Sequence, residues 1–254
     1  ASSPKRTPED MCSRSRIGVR PYSLPLNPAT YFSGGSSTDC NAPSATARLL
    51  APVCRAVAYE KGDEVFREGA PAEDLCFVVL GRVKVVKAGP ERDVILGLFG
   101  PGEPVGAVAV FEGKRFPASA VALEPSTVLR IPERAFFAAI DAHPEMTRSL
   151  LQGLMVRQFE ITRRLADASA PVERRIARLL LTLAARLGRA EGGPVTIPLA
   201  LSRLEIAELT GTTVETAIRV MSRWGKENLV ATTPDGFVVH DEAALRQIAY
   251  ADAG

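Results

Sequence analysis

The chain has 254 residues, 46% of them hydrophobic and 24% charged, with a formal net charge of +2. That is a globular composition with material for more than one core, and no apolar run approaches the roughly 18 residues of a membrane-spanning helix. The first residues contain no compact apolar segment of the signal-peptide kind, so the expected location is the cytoplasm, with no membrane partner. From Pro171 to Gly254 ten basic residues are matched by ten acidic ones. Bulk charge therefore points to no nucleic-acid partner, and any such partner must be argued from arrangement.

Residues 1–45 read as an N-terminal extension. The stretch "PYSLPLNPATYFSGGSSTDCNAPSAT" is rich in Pro, Ser, Gly, Asn and Thr. It has too little periodic apolar character to offset its ordering entropy, so a flexible segment is expected.

Over 46–143 the pattern changes to short β-rich runs, "VAYEKGDEVFREG", "LCFVVLGRVKVV", "DVILGLFGPGEPVG" and "PASAVALEPSTVLRIP". Gly62, Gly69, Gly81, Gly89, Gly102 and Gly106 punctuate them. Short strands between glycine turns predict an all-β sandwich or roll, with the glycines adopting positive φ. From 133 the period becomes helical. "PERAFFAAIDAHPEM" predicts a short helix, and Pro144 opens a longer one within the segment 144–170. Along it, Leu151, Leu154, Gln158, Ile161 and Leu165 alternate spacings of three and four, as in a coiled-coil seam. Leu150, Met155 and Phe159 lie on another face and are expected to pack on the β-domain. The seam fits either a helix-pair dimer or one buried amphipathic helix.

Pro171 marks a break, and 171–254 reads as a third unit. "VERRIARLLLTLAARLG" is an amphipathic helix closed by Gly188, and "PVTIPL" is a short strand. "SRLEIAELTG" starts with Ser202 and carries Glu205 three residues later, a capping box that opens a helix, which Gly211 ends. "TTVETAIRVMSRWGKENL" follows as a second helix capped by Thr212 or Thr213. Two short helices about a tight glycine turn form a helix-turn-helix unit. "LVATTPDGFVVH" adds two strands around Pro234-Asp235-Gly236, a wing, and a last helix runs from Asp241 to Ala249.

The second helix divides by face. Ala217, Val220, Met221 and Trp224 follow helical spacing and belong in a core. Val214, Glu215, Ile218, Arg219 and Ser222 share the opposite side and are the candidate base-reading residues. An arginine can donate two bonds to guanine and a glutamate can accept one from cytosine, so Glu215 and Arg219, one turn apart, could read one G·C pair while bracing each other. Arg203, Thr213, Thr216, Arg223 and Lys226 are candidate phosphate contacts. Two plainer readings stand beside these. Glu215 could complete a capping box with Thr212, or Glu215 and Arg219 could form an ordinary surface pair.

With these pieces in place the chain resembles the CRP/FNR family of bacterial transcription regulators, over about Ala45 to Ile248. The resemblance rests on "KGDEVFREG", "GRVKVV", "GPGEPVGAVAVFEG", "FPASAVALEPSTVLRIP" and, above all, "TGTTVETAIRVMSRWGKENLV". It implies an α+β protein with a cyclic-nucleotide-binding-like β-roll, a long dimerisation helix and a winged helix-turn-helix. It further implies a homodimer that reads palindromic double-stranded DNA with TGA-like half-site cores, and RNA polymerase as a partner. It implies no enzymatic activity, and no nucleophile–base set, metal-ligand spacing or phosphate loop stands in the sequence. The rival function is an effector-binding or protein-interaction module whose winged helix contacts protein.

Departures from the family pattern bear on the signal. The cAMP-binding members carry a glutamate after the glycine corresponding to Gly106, where this chain has Ala107. They carry an Arg-Ser pair where Phe116 and Pro117 stand, and their adenine-touching helix positions match Ile161 and Thr162. Without the carboxylate and the arginine, no cAMP binding is expected. "FPASAVALEP" and "TVET" resemble the FNR side, whose oxygen sensors hold an iron–sulfur cluster and which also includes haem sensors. Cys12, Cys40, Cys54 and Cys76 are the only thiols available for a cluster; they show no C-x-x-C pair, and disulfides are not expected in a reducing compartment. Cys54 and Cys76 sit in apolar runs and read most simply as inert buried thiols. Of the two histidines, His143 is the candidate haem ligand, and His240 lies in the wing. On the reading helix FNR-like members have serine where this chain has Ile218, whose apolar side chain suits a thymine methyl.

Overall fold

The computed structural model describes residues 53–90, 92–142, 144–189 and 193–251. The expected N-terminal extension, with Cys12 and Cys40, lies outside the described residues, and so does His143.

The first body is built from β1 (Arg55–Tyr59), β2 (Glu64–Phe66), β3 (Asp74–Leu80), β4 (Val83–Lys87), β5 (Val94–Phe99), β6 (Pro104–Val105), β7 (Ser119–Ala122) and β8 (Ser126–Pro132). They form two antiparallel sheets, ordered β1-β8-β3-β6 and β2-β7-β4-β5. Val65, Leu75, Val78, Val83, Val105, Val128 and Ile131 are buried in the apolar layer that the sheets share, the outcome expected of period-2 runs with one apolar face. A one-turn helix, α1 (Ala107–Phe111), closes one end, and α2 (Glu133–Ala142) buries Phe136 and Ala139 against the same core. Gly89 departs from the expectation for the roll's glycines. Its φ is not left-handed, and glycine is needed there because a Cβ would strike the Arg92 carbonyl.

α3 (Pro144–Ala166) is a 23-residue helix, about 35 Å long at 1.5 Å per residue. It packs against α2 at its start and against the 3-10 turn Asp167–Ser169 at its end. Between those anchors Arg163 donates to the Thr182 hydroxyl of the next helix at 3.0 Å, and Glu160 pairs with Arg186 of that helix at 3.5 Å. The expectation that Met155 and Phe159 pack on the β-domain is overturned, since they are 66% and 69% exposed, while the side chain of Leu150 lies outside the described ones. Leu151, Leu154, Gln158, Ile161 and Leu165 are exposed as well.

The C-terminal body consists of α4 (Val172–Leu187), β9 (Val195–Ile197), α5 (Arg203–Thr210), α6 (Val214–Lys226), β10 (Val230–Thr233), β11 (Gly236–Val239) and α7 (Glu242–Tyr250). Its sheet runs β10-β11-β9, with Phe237 opposite Ile197 and Val230 opposite Val239. Ile176 and Leu180 of α4, Ile206 of α5, Ala217, Met221 and Trp224 of α6, Phe237 of β11 and Leu245 of α7 are buried together. That cluster does not stop at the head. Ile95 and Leu98 of β5 and Leu123 belong to it, so an apolar seam joins the outer sheet of the roll to the C-terminal body.

Candidate nucleic-acid interface

The geometry of the two short helices follows from their ends. The Ser202 hydroxyl accepts from the Glu205 N–H at 3.1 Å, and the Glu205 carboxylate accepts from the Ser202 N–H at 2.9 Å, so both halves of the expected capping box are present. At the other end of α5, Gly211 adopts φ 65° and ψ 38°, the left-handed conformation a side chain disfavours. The chain reverses there and starts α6. Its cap is Thr213, whose hydroxyl accepts from the Thr216 N–H at 3.3 Å; Thr212 is buried instead. Glu215 is thus not the partner of a Thr212 capping box.

α6 is amphipathic in the sense the spacing predicts. Ala217, Val220, Met221 and Trp224 are buried, whereas Glu215, Ile218, Arg219 and Ser222 are exposed and Val214 is half-buried. Among the described residues neither Glu215 nor Arg219 has a hydrogen-bond or ion-pair partner. The expected mutual bracing is absent, and both side chains keep their full donor and acceptor capacity. An exposed face bearing an arginine, a glutamate and an isoleucine on a helix anchored from behind is suited to meet the floor of a major groove.

The proposed phosphate contacts fall into different states. Thr213 and Thr216 are joined by the cap and by a 3.1 Å hydroxyl–hydroxyl bond. Arg203 is half-buried and donates to the Thr232 hydroxyl at 2.8 Å, which ties α5 to the wing. Arg223 pairs with Glu173 at 2.8 Å and more loosely with Glu227 at 3.8 Å. These side chains are near half exposed, so the pair contributes little and a phosphate could displace it. Lys226 is exposed and has no partner among the described residues.

In the roll, Gly106 adopts φ 73°, and a Cβ there would approach Phe116 to 2.6 Å and Phe66 to 2.9 Å. Those two rings stack with centroids 3.8 Å apart and planes 10° from parallel, and Phe116 is 3% exposed. The ground beside Gly106 is thus filled by an apolar stack. The described thiols give no better purchase to a cluster. Cys76 is fully buried on β3 and Cys54 is half-buried, and burial pushes both up to about 11, away from the thiolate a metal requires. Among the described residues no three His, Cys, Asp or Glu side chains are grouped to hold a metal.

One set of contacts was not read from the sequence at all. Lys84 of β4 donates to Glu205 Oε1 at 2.8 Å, and Arg92, just before β5, donates to the Thr212 carbonyl at 2.8 Å and the Gly211 carbonyl at 3.2 Å. Burial alone would push the Glu205 carboxyl up, but the bonds from Lys84 and Ser202 bring it below the usual carboxylate range. The alternation in "GRVKVVK" puts Lys84 on a strand's outer face, but nothing local says what lies opposite.

A β-roll followed by an exposed reading helix with a wing defines a DNA-binding transcription regulator. Residues 56–143 match the cyclic nucleotide-binding domain, and residues 174–248 match the Crp-like helix-turn-helix domain. The chain is 33% identical over 187 residues to the transcriptional activator protein anr of Pseudomonas aeruginosa, covering 71% of this chain and 74% of that one. It is 31% identical over 196 residues to a cyclic AMP receptor protein of Thermus thermophilus, covering 76% of this chain and 87% of that one. The structure of FixK2 from Bradyrhizobium japonicum superposes with a TM-score of 0.66 at 22% identity, over 79% of this chain and 100% of that one. The chain belongs to the CRP/FNR family of transcription regulators, whose members are not enzymes. Among the described residues no helix is long and apolar enough to cross a membrane.

Proposed function

We propose that the protein is a homodimeric, sequence-specific regulator acting in the cytoplasm. It reads a palindromic site with TGA-like half-site cores, recruits RNA polymerase and answers a signal other than cAMP. The sensor unit spans 46–143, the dimer helix 144–170 and the reading head 171–254. The observation that carries this reading is the bare face of α6, where Glu215, Ile218, Arg219 and Ser222 are exposed and the glutamate and arginine are uncommitted. Two such helices in a dimer would enter successive major grooves about 34 Å apart. The exposed apolar residues of α3 support the dimer, because a patch of this kind on a soluble chain marks an interface. The Phe66–Phe116 stack supports a signal that brings no phosphate into the roll.

Arg219→Ala is expected to weaken binding to the specific site by about 1–3 kcal/mol and to relax preference at one base pair. Fluorescence anisotropy on the selected operator and on random duplex measures this, and equal loss on both would remove Arg219 from base reading. Ile218, 46% exposed on that face, is expected to select a thymine at the base it meets. A binding selection in which Ile218→Ser leaves the same base preferences would refute that role. Steep loss of affinity with salt is expected for wild type and would exclude a head that contacts only protein.

A further inference from the structure

We propose that Glu173 is an electrostatic brake on the head: its carboxylate occupies Arg223 in place of a DNA phosphate and so limits affinity for every duplex. The inference rests on the DNA-binding reading above.

It starts from how the head spends its cations. From Pro171 to Gly254 there are ten basic residues. Arg174, Arg175 and Arg178 of α4 donate to the carbonyls of Ala251, Ala168 and Ala249. Arg186 pairs with Glu103, Arg203 donates to Thr232, and Arg246 pairs with Glu242. With Arg223 held by Glu173, Arg189, Arg219 and Lys226 alone have no side-chain partner among the described residues. A head so short of uncommitted charge has little grip on the phosphate backbone, which supplies nearly all sequence-independent affinity. One more free cation would change that grip.

Arg223 stands where such a cation would act. Arg219, Arg223 and Lys226 follow at spacings of four and three, so they form one edge of α6 beside the reading face. A helix lying in a major groove turns such an edge toward the groove wall, where the phosphates run. There the Arg223 Nη2 already donates to Glu173 Oε1 at 2.8 Å, and its Nε lies 3.8 Å from Glu227 Oε1. Glu173 is in the first turn of α4, where the helix dipole favours a carboxylate and no side chain caps the helix. Its position therefore has a support besides the arginine.

The two side chains are 47% and 45% exposed, so the pair is weak in itself. A phosphate would offer the guanidinium two oxygens and a stronger bond. It can displace the glutamate only by losing the existing pair and leaving the carboxylate bare beside a second anion, so the exchange gains little. The brake acts on all sequences alike. It shortens the time spent on random DNA without altering the choice of site.

The test is fluorescence anisotropy of the full-length protein on random duplex and on the selected operator, each over a range of salt. Glu173→Gln is expected to tighten binding to both about 3- to 20-fold and to steepen the slope of log affinity against log salt by about two, one phosphate for each head of the dimer. Glu173→Gln with Arg223→Gln restores the net charge and should bind within about 2-fold of wild type, because the pair is removed as a unit. Glu242→Gln makes the same change in charge on α7, which packs on α4, and frees Arg246 away from the edge of α6; it should gain less than about 2-fold. No gain from Glu173→Gln, or an equal gain from Glu242→Gln, would overturn the brake. So would a double variant that loses affinity with a shallower slope, since Arg223 would then already be a phosphate contact in wild type. These failures leave operator binding by wild type intact. A wild type that binds no duplex rejects the brake and the function above together.

Discussion

Ile161→Glu combined with Leu154→Glu is expected to leave a folded monomer whose operator affinity is lower by about 100- to 10,000-fold. Both residues are exposed on α3 and stand on the three-and-four spacing of the seam. In a dimer these positions face their counterparts, so four carboxylates would have to be buried together, which costs far more than the helix pair gains. Because the two positions are already in water in the isolated chain, the substitutions do not disturb either core. The affinity loss arises from lost bivalency: the second head would no longer bind at the high effective concentration the first provides. Sedimentation velocity reads the mass, and anisotropy on a full palindrome and on an isolated half-site reads the avidity. Equal affinity for full and half sites by wild type would contradict a dimer that engages both halves.

Trp224→Ala is expected to destabilise the head by about 3–5 kcal/mol, the range for emptying a large aromatic site. Trp224 is 1% exposed at the centre of the cluster formed by α4, α5, α6 and the wing, and its backbone carbonyl accepts from the Leu229 N–H at 2.9 Å where the chain leaves α6. Its loss opens a cavity behind the reading face rather than on it. Operator binding should therefore fall with temperature well before the roll melts, and the two bodies should unfold in separate steps. Calorimetry checks this. A single transition lowered as a whole would mean that the seam at Ile95 and Leu98 couples the bodies more strongly than the head's own core holds it together.

The head was more legible than the roll's surroundings, and the reason is local physics. Ser202 with Glu205, Gly211 and the spacing of Ala217, Val220, Met221 and Trp224 are signals of about two helix turns or less, and each places its own element. The choice between Thr212 and Thr213 was not decidable from the residues, because both side chains can cap; burial of Thr212 decides it. The hairpin–head seam was illegible because β5 is apolar on both faces. Val94 and Leu96 are exposed and Ile95 and Leu98 are buried, and alternation alone cannot say which face meets a second body. Met155 and Phe159 misled for a related reason. Their spacing marks an apolar face, but what covers it depends on the direction in which α3 leaves the roll.

Glu205 has a consequence for how such a regulator can evolve. One oxygen of its carboxylate starts a helix and the other answers the hairpin. A lineage that altered this residue would weaken the start of α5 together with the seam, so drift there is penalised twice. Lys84 carries no such second duty among the described residues. Substitution is therefore costlier at the glutamate, which would lose two contacts, than at the lysine, which would lose one.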